Sequence, residues 1–136
     1  MRLLLDCHCW LWWFAQPSRL NETAVAQIGD EGNELWLSAA CVWEMGIKIA
    51  IGKLSLPLPL DSYVASWMQE LGARPLEIKA AHALRAAALP MHHRDPFDRM
   101  LIAQAQLEGM TLVSADEVFR KYKGAAVVWA GTRKAE

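Results

Sequence analysis

The sequence lacks the features that mark secreted and membrane-spanning proteins. It has only three cysteines (Cys7, Cys9 and Cys41), and an odd number argues against a disulfide framework. No apolar stretch is long enough to span a bilayer. Asp6 interrupts the apolar start too early for a secretory leader. We therefore expect a cytoplasmic protein that does not associate with membranes.

An excess of charge of either sign is also missing. The formal net charge is -1, which excludes a broadly basic surface of the kind that coats nucleic acids. It leaves open an enzyme whose positive charge comes from bound metal ions. What the chain does have is 54% hydrophobic residues over 136 positions, without repeats or linker-like segments. This composition predicts a single globular domain over residues 1–136.

Short apolar runs alternate with helical patterns along the chain, which predicts an α/β fold. The predicted strands are Arg2–Leu5, Glu34–Leu37, Pro75–Ile78, Thr111–Val113 and Ala126–Trp129. The predicted helices are Cys7–Ala15, Asn21–Asp30, Ala39–Ala50, Leu60–Leu71, Lys79–Leu89, Pro96–Glu108 and Asp116–Tyr122. The expected architecture is a three-layer α/β/α sandwich with a mainly parallel central sheet. Such sheets place ligands beyond the carboxyl ends of their strands.

Four acidic residues occupy informative positions on this map. Asp6 directly follows the first strand, and Asp116 follows the strand Thr111–Val113 after two residues. Asp98 lies in the first turn of a helix, and Glu44 lies inside an apolar one. Helix capping is an alternative explanation for Asp6, Asp98 and Asp116. A cap does not explain Glu44.

Carboxylates that share one edge of a sheet repel one another. At about 4 Å, two unit charges cost roughly 4 kcal/mol at an effective dielectric constant near 20. The pKa values of the clustered carboxyl groups therefore rise, or the cluster binds a cation. Oxygen ligands suit Mg²⁺ or Mn²⁺, and these ions promote phosphodiester hydrolysis.

Four blocks of sequence resemble the motifs of PIN-domain proteins, in particular the VapC-type toxins of bacterial toxin–antitoxin pairs. The blocks are LLLDCHCWLWW, LSAACVWEMGIKIAIGKLSLP, HHRDPFDRMLIAQAQ and LVSADEVFRKY, in the expected order and across nearly the whole chain. The resemblance implies a Mg²⁺-dependent endoribonuclease, with Mn²⁺ as a possible substitute, whose substrate is RNA and whose partner is a cognate antitoxin. It also implies a homodimer or a hetero-oligomer with the antitoxin. The acids that it assigns to catalysis and metal binding are Asp6, Glu44, Asp98 and Asp116.

The resemblance implies different roles for Asp98 and its neighbour Asp95. Asp98 matches a metal ligand, whereas Asp95, which precedes Pro96, is interpreted as an N-cap. Cys7 departs from the pattern, because threonine or serine is common after the first acid. A thiol is a weaker hydrogen-bond partner, so we expect altered support of Asp6. Ser114 is interpreted as a hydroxyl near Asp116 or as a local cap.

Several side chains near these motifs have ordinary interpretations. Adjacent His92 and His93 favour a loop over a pair of metal ligands. Four basic residues are candidates for RNA backbone contacts, although solvated surface charge is the favoured explanation for each of them. These residues are Lys48, Lys53, Arg94 and Arg99. The first predicted helix carries Trp10, Trp12, Trp13 and Phe14, which spread around it. They either pack on both of its sides or form an apolar patch for a partner.

Two functions from other classes remain as alternatives. Phosphoacceptor receiver domains also have acidic pockets on parallel sheets, but they need an Asp after a middle strand, and here Ser38 follows Glu34–Leu37. A catalytically silent PIN-like binding module is the second alternative. Only the presence of all four acids argues against it.

Overall fold

Five short strands form one parallel sheet. The computed structural model describes residues 1–132, and its sheet has the order β3-β2-β1-β4-β5 with every pairing parallel. The strands are β1 (Arg2–Leu5), β2 (Glu34–Ser38), β3 (Arg74–Leu76), β4 (Thr111–Ser114) and β5 (Val127–Trp129). The central strand β1 begins with the exposed Arg2 and ends in three leucines that are fully buried, as expected for a strand covered on both faces.

Helices flank this sheet, and the predicted fold class is confirmed. They are α1 (Cys7–Ala15), α2 (Glu22–Gly29), α3 (Ala39–Ala50), α4 (Leu60–Leu71), α5 (Ala80–Ala88) and α6 (Pro96–Glu108). Short 3₁₀ turns cover Pro17–Arg19 and Glu117–Lys121. Several ends were predicted correctly because their caps are local signals. Asn21 and Ser38 cap α2 and α3, and Gly72 and Gly109 end α4 and α6 in the left-handed conformation.

Two predicted elements differ from the structure in type or by more than one residue at an end, whereas the others agree to within one residue at each end. The third strand was predicted at Pro75–Ile78 but runs from Arg74 to Leu76, because its register with β2 pairs Arg74 with Trp36 and Leu76 with Ser38. Pro75 is tolerated there because β3 is an edge strand. The helix predicted at Asp116–Tyr122 is a 3₁₀ turn over Glu117–Lys121, with Asp116 as its N-cap.

The tryptophans of α1 mostly serve the core. Trp10 is fully buried and stacks on Trp67 at 5.3 Å between ring centroids. Phe14 also stacks on Trp67, while Trp12 and Trp13 are half-buried. Packing on both sides of the helix therefore explains most of the aromatic pattern. A more exposed tryptophan lies on α3, where 64% of Trp43 is accessible.

Chain order reverses at the centre of the sheet. β1 pairs with β2 on one side and with β4 on the other. The chain therefore adds β2 and β3 on one side of β1 and then β4 and β5 on the other side. This is the topological switch point of an open parallel sheet, where ligands bind beyond the carboxyl ends of the strands. Asp6 follows β1 and Asp116 follows β4, so both acids lie at this point.

Candidate active site

Asp6 is held rigidly at the end of β1. Only 4% of the residue is exposed, and one carboxylate oxygen accepts a hydrogen bond from the Cys9 backbone N–H at 2.9 Å. The other oxygen accepts the hydroxyl of Ser114 at 2.5 Å. Ser114 in turn accepts the Asp116 backbone N–H at 3.0 Å. Asp6 is thus an N-cap, as the capping alternative predicted. It also lines one cavity together with Asp98 and Asp116, and these three residues are called the acidic cluster below.

The side chain of His93 lies between the carboxylates of Asp98 and Asp116. The His93 Nε2 atom lies 2.9 Å from Oδ2 of Asp98 and 2.9 Å from Oδ2 of Asp116. Ligand atoms of these three residues all lie within 4.8 Å of one another. The cap that Asp116 provides to Val118 uses its other oxygen. The helix cap of α6 is Asp95, as predicted, which leaves the Asp98 carboxylate to the cluster.

The surroundings of His93 fix which ring nitrogen carries the proton. Its Nδ1 atom accepts the Asp95 backbone N–H at 3.2 Å. In the neutral ring the proton is therefore on Nε2, which donates toward Asp98 and Asp116. The interpretation of His92 and His93 as ordinary loop residues missed this role for His93. A signal was present, because His93 lies two residues before the N-cap of a helix that carries a candidate ligand.

Glu44 lies behind the cluster. It is 7% exposed and does not line the cavity that the three aspartates share. Its Oε1 atom accepts the Cys7 thiol at 2.9 Å, and its Oε2 atom pairs with Lys48 at 3.0 Å. The neighbouring Cys41 and burial raise the pKa of the Cys7 thiol, so Cys7 acts as a neutral donor. Cys7 therefore orients Glu44 rather than Asp6, which Ser114 supports instead.

The charges of the cluster act most strongly on Asp98. Burial, which is the largest cause, and the neighbouring carboxylates together raise the pKa of Asp98 to about 8. In order of size, those neighbours are Asp95, Glu44, Asp6 and Asp116. All four predicted acids therefore interact electrostatically, although Glu44 does so from a separate position. The rise means that Asp98 carries a proton at neutral pH unless a cation replaces it.

In the presence of EDTA, the free energy of unfolding should fall as the pH rises from about 4 to about 8. Folded Asp98 keeps its proton up to about pH 8, whereas the unfolded chain loses it near the ordinary value of 3.8. Between these values the folded state binds more protons, so stability falls by up to about 1.4 kcal/mol per pH unit. Urea titrations followed by circular dichroism at several pH values measure this slope. Asp98→Asn should remove it, and parallel curves for the two proteins would contradict the assignment.

Arg99 has a different role from both of its predicted ones. It neither lies free at the surface nor faces a substrate, because it is buried with 8% exposure. Its guanidinium donates to four backbone carbonyls at 2.8 to 3.2 Å. Those carbonyls belong to Ala86, Leu89, Pro90 and His93. Arg99 therefore holds the end of α5 and the loop that carries His93.

Tyr122 fastens the same loop from the opposite side. Its hydroxyl accepts the His93 backbone N–H at 2.7 Å and donates to the Pro90 carbonyl at 2.8 Å. The loop position is thus set by contacts that are distant in sequence.

The remaining basic candidates do not share this role. Lys48 is paired with Glu44, whereas Arg94 and Lys53 are exposed.

Asp6, Asp98 and Asp116 open onto one cavity of about 560 Å³. Their oxygen atoms are donors of the kind that hard divalent cations prefer. Hydrogen bonds from Ser114 and the Cys9 backbone orient Asp6, as supporting residues do around metal ligands. The raised pKa of Asp98 adds a second indication, because a cation would relieve the repulsion that raises it. The donor set therefore fits a divalent metal ion.

Comparison with known families agrees with this geometry. The sequence matches the PIN domain over residues 3–125. The chain belongs to the PIN domain family. Nucleases of the PIN family use divalent metal ions, and the acidic cluster described above supplies suitable ligands. The family assignment also argues against a phosphoacceptor receiver domain.

The chain is similar to a protein named as a ribonuclease and, in fold, to solved structures of VapBC toxin–antitoxin proteins. Ribonuclease VapC22 of Mycobacterium tuberculosis is 33% identical over 124 residues, covering 89% of this chain and 92% of the relative. The solved structure of VapBC2 from Rickettsia felis, bound to a DNA fragment from its promoter, superimposes with a TM-score of 0.72 at 12% identity, covering 96% and 99% of the two chains. VapBC-5 from M. tuberculosis, a toxin–antitoxin complex, gives 0.60 at 17% identity, covering 96% and 98%. At these identities the two structures establish the shared fold.

Proposed function

We propose that this PIN-domain protein is a metal-dependent endoribonuclease, the toxin of a toxin–antitoxin pair. The observation that carries the proposal is the convergence of Asp6, Asp98 and Asp116 on one cavity at the switch point of the sheet. The 33% identity to a protein named as a ribonuclease supports the same activity. Residues 1–136 are proposed to act as one domain, since a single core cluster unites all the strands.

The proposed cofactor is Mg²⁺, with Mn²⁺ as a substitute. Asp6, Asp98 and Asp116 would hold it, and Glu44 is the fourth acid of the site. When bound, such an ion neutralises the cluster, lowers the pKa of water and stabilises a leaving oxygen. Carboxylates bind metals as anions, so Asp98 gives up its proton on binding. This release links metal affinity to pH.

The proposed reaction is hydrolysis of an RNA phosphodiester. Water attacks phosphorus in line, and the 3′ oxygen leaves. Ser114 and the Cys9 N–H keep Asp6 in one orientation through the reaction. His93 holds Asp98 and Asp116 together by donating from Nε2 toward both. Cys7 and Lys48 orient Glu44, whose carboxylate contributes to the raised pKa of Asp98.

The proposed partner is a cognate antitoxin protein, in a hetero-oligomer or alongside a homodimer of this chain. The solved relatives are VapBC complexes, which supports this arrangement. We also propose that the pair acts in the cytoplasm. Among residues 1–132, no helix is both long enough and apolar enough to cross a membrane. Co-expression with the product of the neighbouring gene, followed by size-exclusion chromatography, tests the partnership.

Cleavage of total bacterial RNA by the purified chain tests the proposed activity. The assay compares Mg²⁺, Mn²⁺ and EDTA, with the Asp6→Ala variant beside the wild type. We expect fragments with either metal and none with EDTA or with the variant. Cleavage that persists in EDTA would contradict metal dependence. No cleavage by folded wild-type protein under any condition would favour a catalytically silent binding module.

A further inference from the structure

The cavity of the three aspartates has a second wall, made of flat side chains. This wall consists of His8, Trp12 and Arg19. The central guanidinium carbon of Arg19 lies 4.6 Å from the centroid of the Trp12 ring. The His8 and Trp12 ring centroids are 5.5 Å apart, with the planes inclined at 36°. The three groups therefore lie next to one another as a layer beside the acids.

Local sequence explains why these groups meet. His8 and Trp12 are four residues apart on α1 and so share one face of the helix. Arg19 ends the 3₁₀ turn that begins at Pro17 and follows α1 directly. His8 and Arg19 are exposed and Trp12 is half-buried, in contrast to the fully buried Trp10. The layer thus faces the cavity rather than the core.

The charge of the cavity makes such a layer useful for binding RNA. Its acidic lining repels phosphates, and Arg19 is its only lysine or arginine among the residues that the structure describes. Apart from the proposed metal ion, the cavity therefore offers little positive charge to the RNA backbone. Bases stack on aromatic rings and on guanidinium planes without needing a basic surface. Stacking supplies affinity that the charges of this cavity lack.

We propose that His8, Trp12 and Arg19 form a nucleobase-binding subsite, in which an unpaired base next to the scissile phosphate stacks on the Arg19–Trp12 layer. This inference rests on the proposed ribonuclease function and names the part of the RNA that the site holds. Trp12 supports the guanidinium from below, and His8 borders the layer on the helix. Loss of the Trp12 ring removes the platform without touching any of the four acids.

Steady-state cleavage of an RNA that the wild type cuts tests the subsite. Trp12→Leu should raise KM about tenfold or more and leave kcat within about threefold, because a binding contact is lost equally in the ground and transition states. Trp12→Phe keeps an aromatic face and should stay near the wild-type KM. Trp13→Leu is the matched control. Its tryptophan is also half-buried on α1 but packs toward Gly29, outside the cavity.

Abasic substitutions in the RNA show whether a base is the group that is bound. Removing the base at one position flanking the cleaved bond should raise the wild-type KM by a similar factor. The same removal should have little further effect on Trp12→Leu, since both changes delete one contact. Additive effects at every flanking position would overturn the proposal.

The remaining outcomes are equally decisive. A folded Trp12→Leu protein with the wild-type KM overturns the subsite while the nuclease function stands. If Trp12→Leu does not fold, the subsite is tested with variants at the exposed positions Arg19 and His8. Unchanged KM values in both Arg19→Lys and His8→Ala then overturn the proposal. A folded wild-type chain that cleaves no RNA overturns the proposed function and the subsite together.

Discussion

Asp98→Asn is expected to reduce metal-dependent RNA cleavage more than about 100-fold, which exceeds the usual loss from a residue that only supports a metal ligand. The substitution removes the carboxylate that would give up its proton and bind the metal ion as an anion, at the point where the charges of the cluster act most strongly. It keeps the size of the side chain, and Asp95 still caps α6. Circular dichroism should show an intact fold. The expected loss is therefore one of chemistry and not of structure.

Asp95→Asn provides a matched control for this prediction. The same isosteric change is made three residues earlier, and asparagine caps helices as well as aspartate does. The amide oxygen retains the hydrogen bonds from the Phe97 and Asp98 backbone N–H groups. We expect this variant to keep activity within about tenfold of the wild type, no more than the low end of the loss that supporting residues cause. Equal losses of RNA cleavage in the two variants would contradict the role of Asp98 as a metal ligand.

Arg99→Met is expected to lower the free energy of unfolding by about 3–5 kcal/mol, since several buried hydrogen bonds to a charged group are lost at once. Methionine fills similar space but donates to none of the four carbonyls that Arg99 now satisfies. The loop that carries His93 should loosen, and RNA cleavage should fall with it. Urea unfolding followed by circular dichroism measures the first effect.

Two further substitutions separate the buried hydrogen bonds of Arg99 from its charge. Arg99→Lys keeps the charge but has no planar fork, so it should recover only part of the stability. Arg94→Met makes the same exchange at an exposed arginine in the neighbouring loop and should change stability by less than about 0.5 kcal/mol. An Arg99→Met protein as stable as Arg94→Met would show that the carbonyl contacts contribute little.

Much of the fold and part of the site follow from local patterns. Apolar runs that end at an acid predicted both β1 with Asp6 and β4 with the nearby Asp116. Caps predicted several helix ends, because capping depends on a few neighbouring residues. The parallel sheet then brings strand ends from distant parts of the chain to one edge. The fold class and the shared location of these acids therefore needed no structural information.

Other parts of the site depend on contacts that sequence patterns do not encode. Arg99 resembles any charged residue in the first turns of a helix, yet it is buried against carbonyls six to thirteen positions earlier. His93 meets Asp116 across 23 residues, and Cys7 meets Glu44 across 37. These pairings depend on how loops cross the sheet edge. The interpretation of Arg99 as an RNA contact or a solvated surface charge was wrong for this reason, and the part that His93 plays among the acids was missed. Cys7, which was expected to alter the support of Asp6, contacts Glu44 instead.

The most direct test of the account is to locate the metal ion. Crystals of the protein soaked with Mn²⁺ would be measured at a wavelength where manganese scatters anomalously. We predict an anomalous difference peak within bonding distance of carboxylate oxygens of Asp6, Asp98 and Asp116. A peak elsewhere, or none at saturating Mn²⁺ with the three carboxylates well ordered, would contradict the assignment of this cavity as the metal centre.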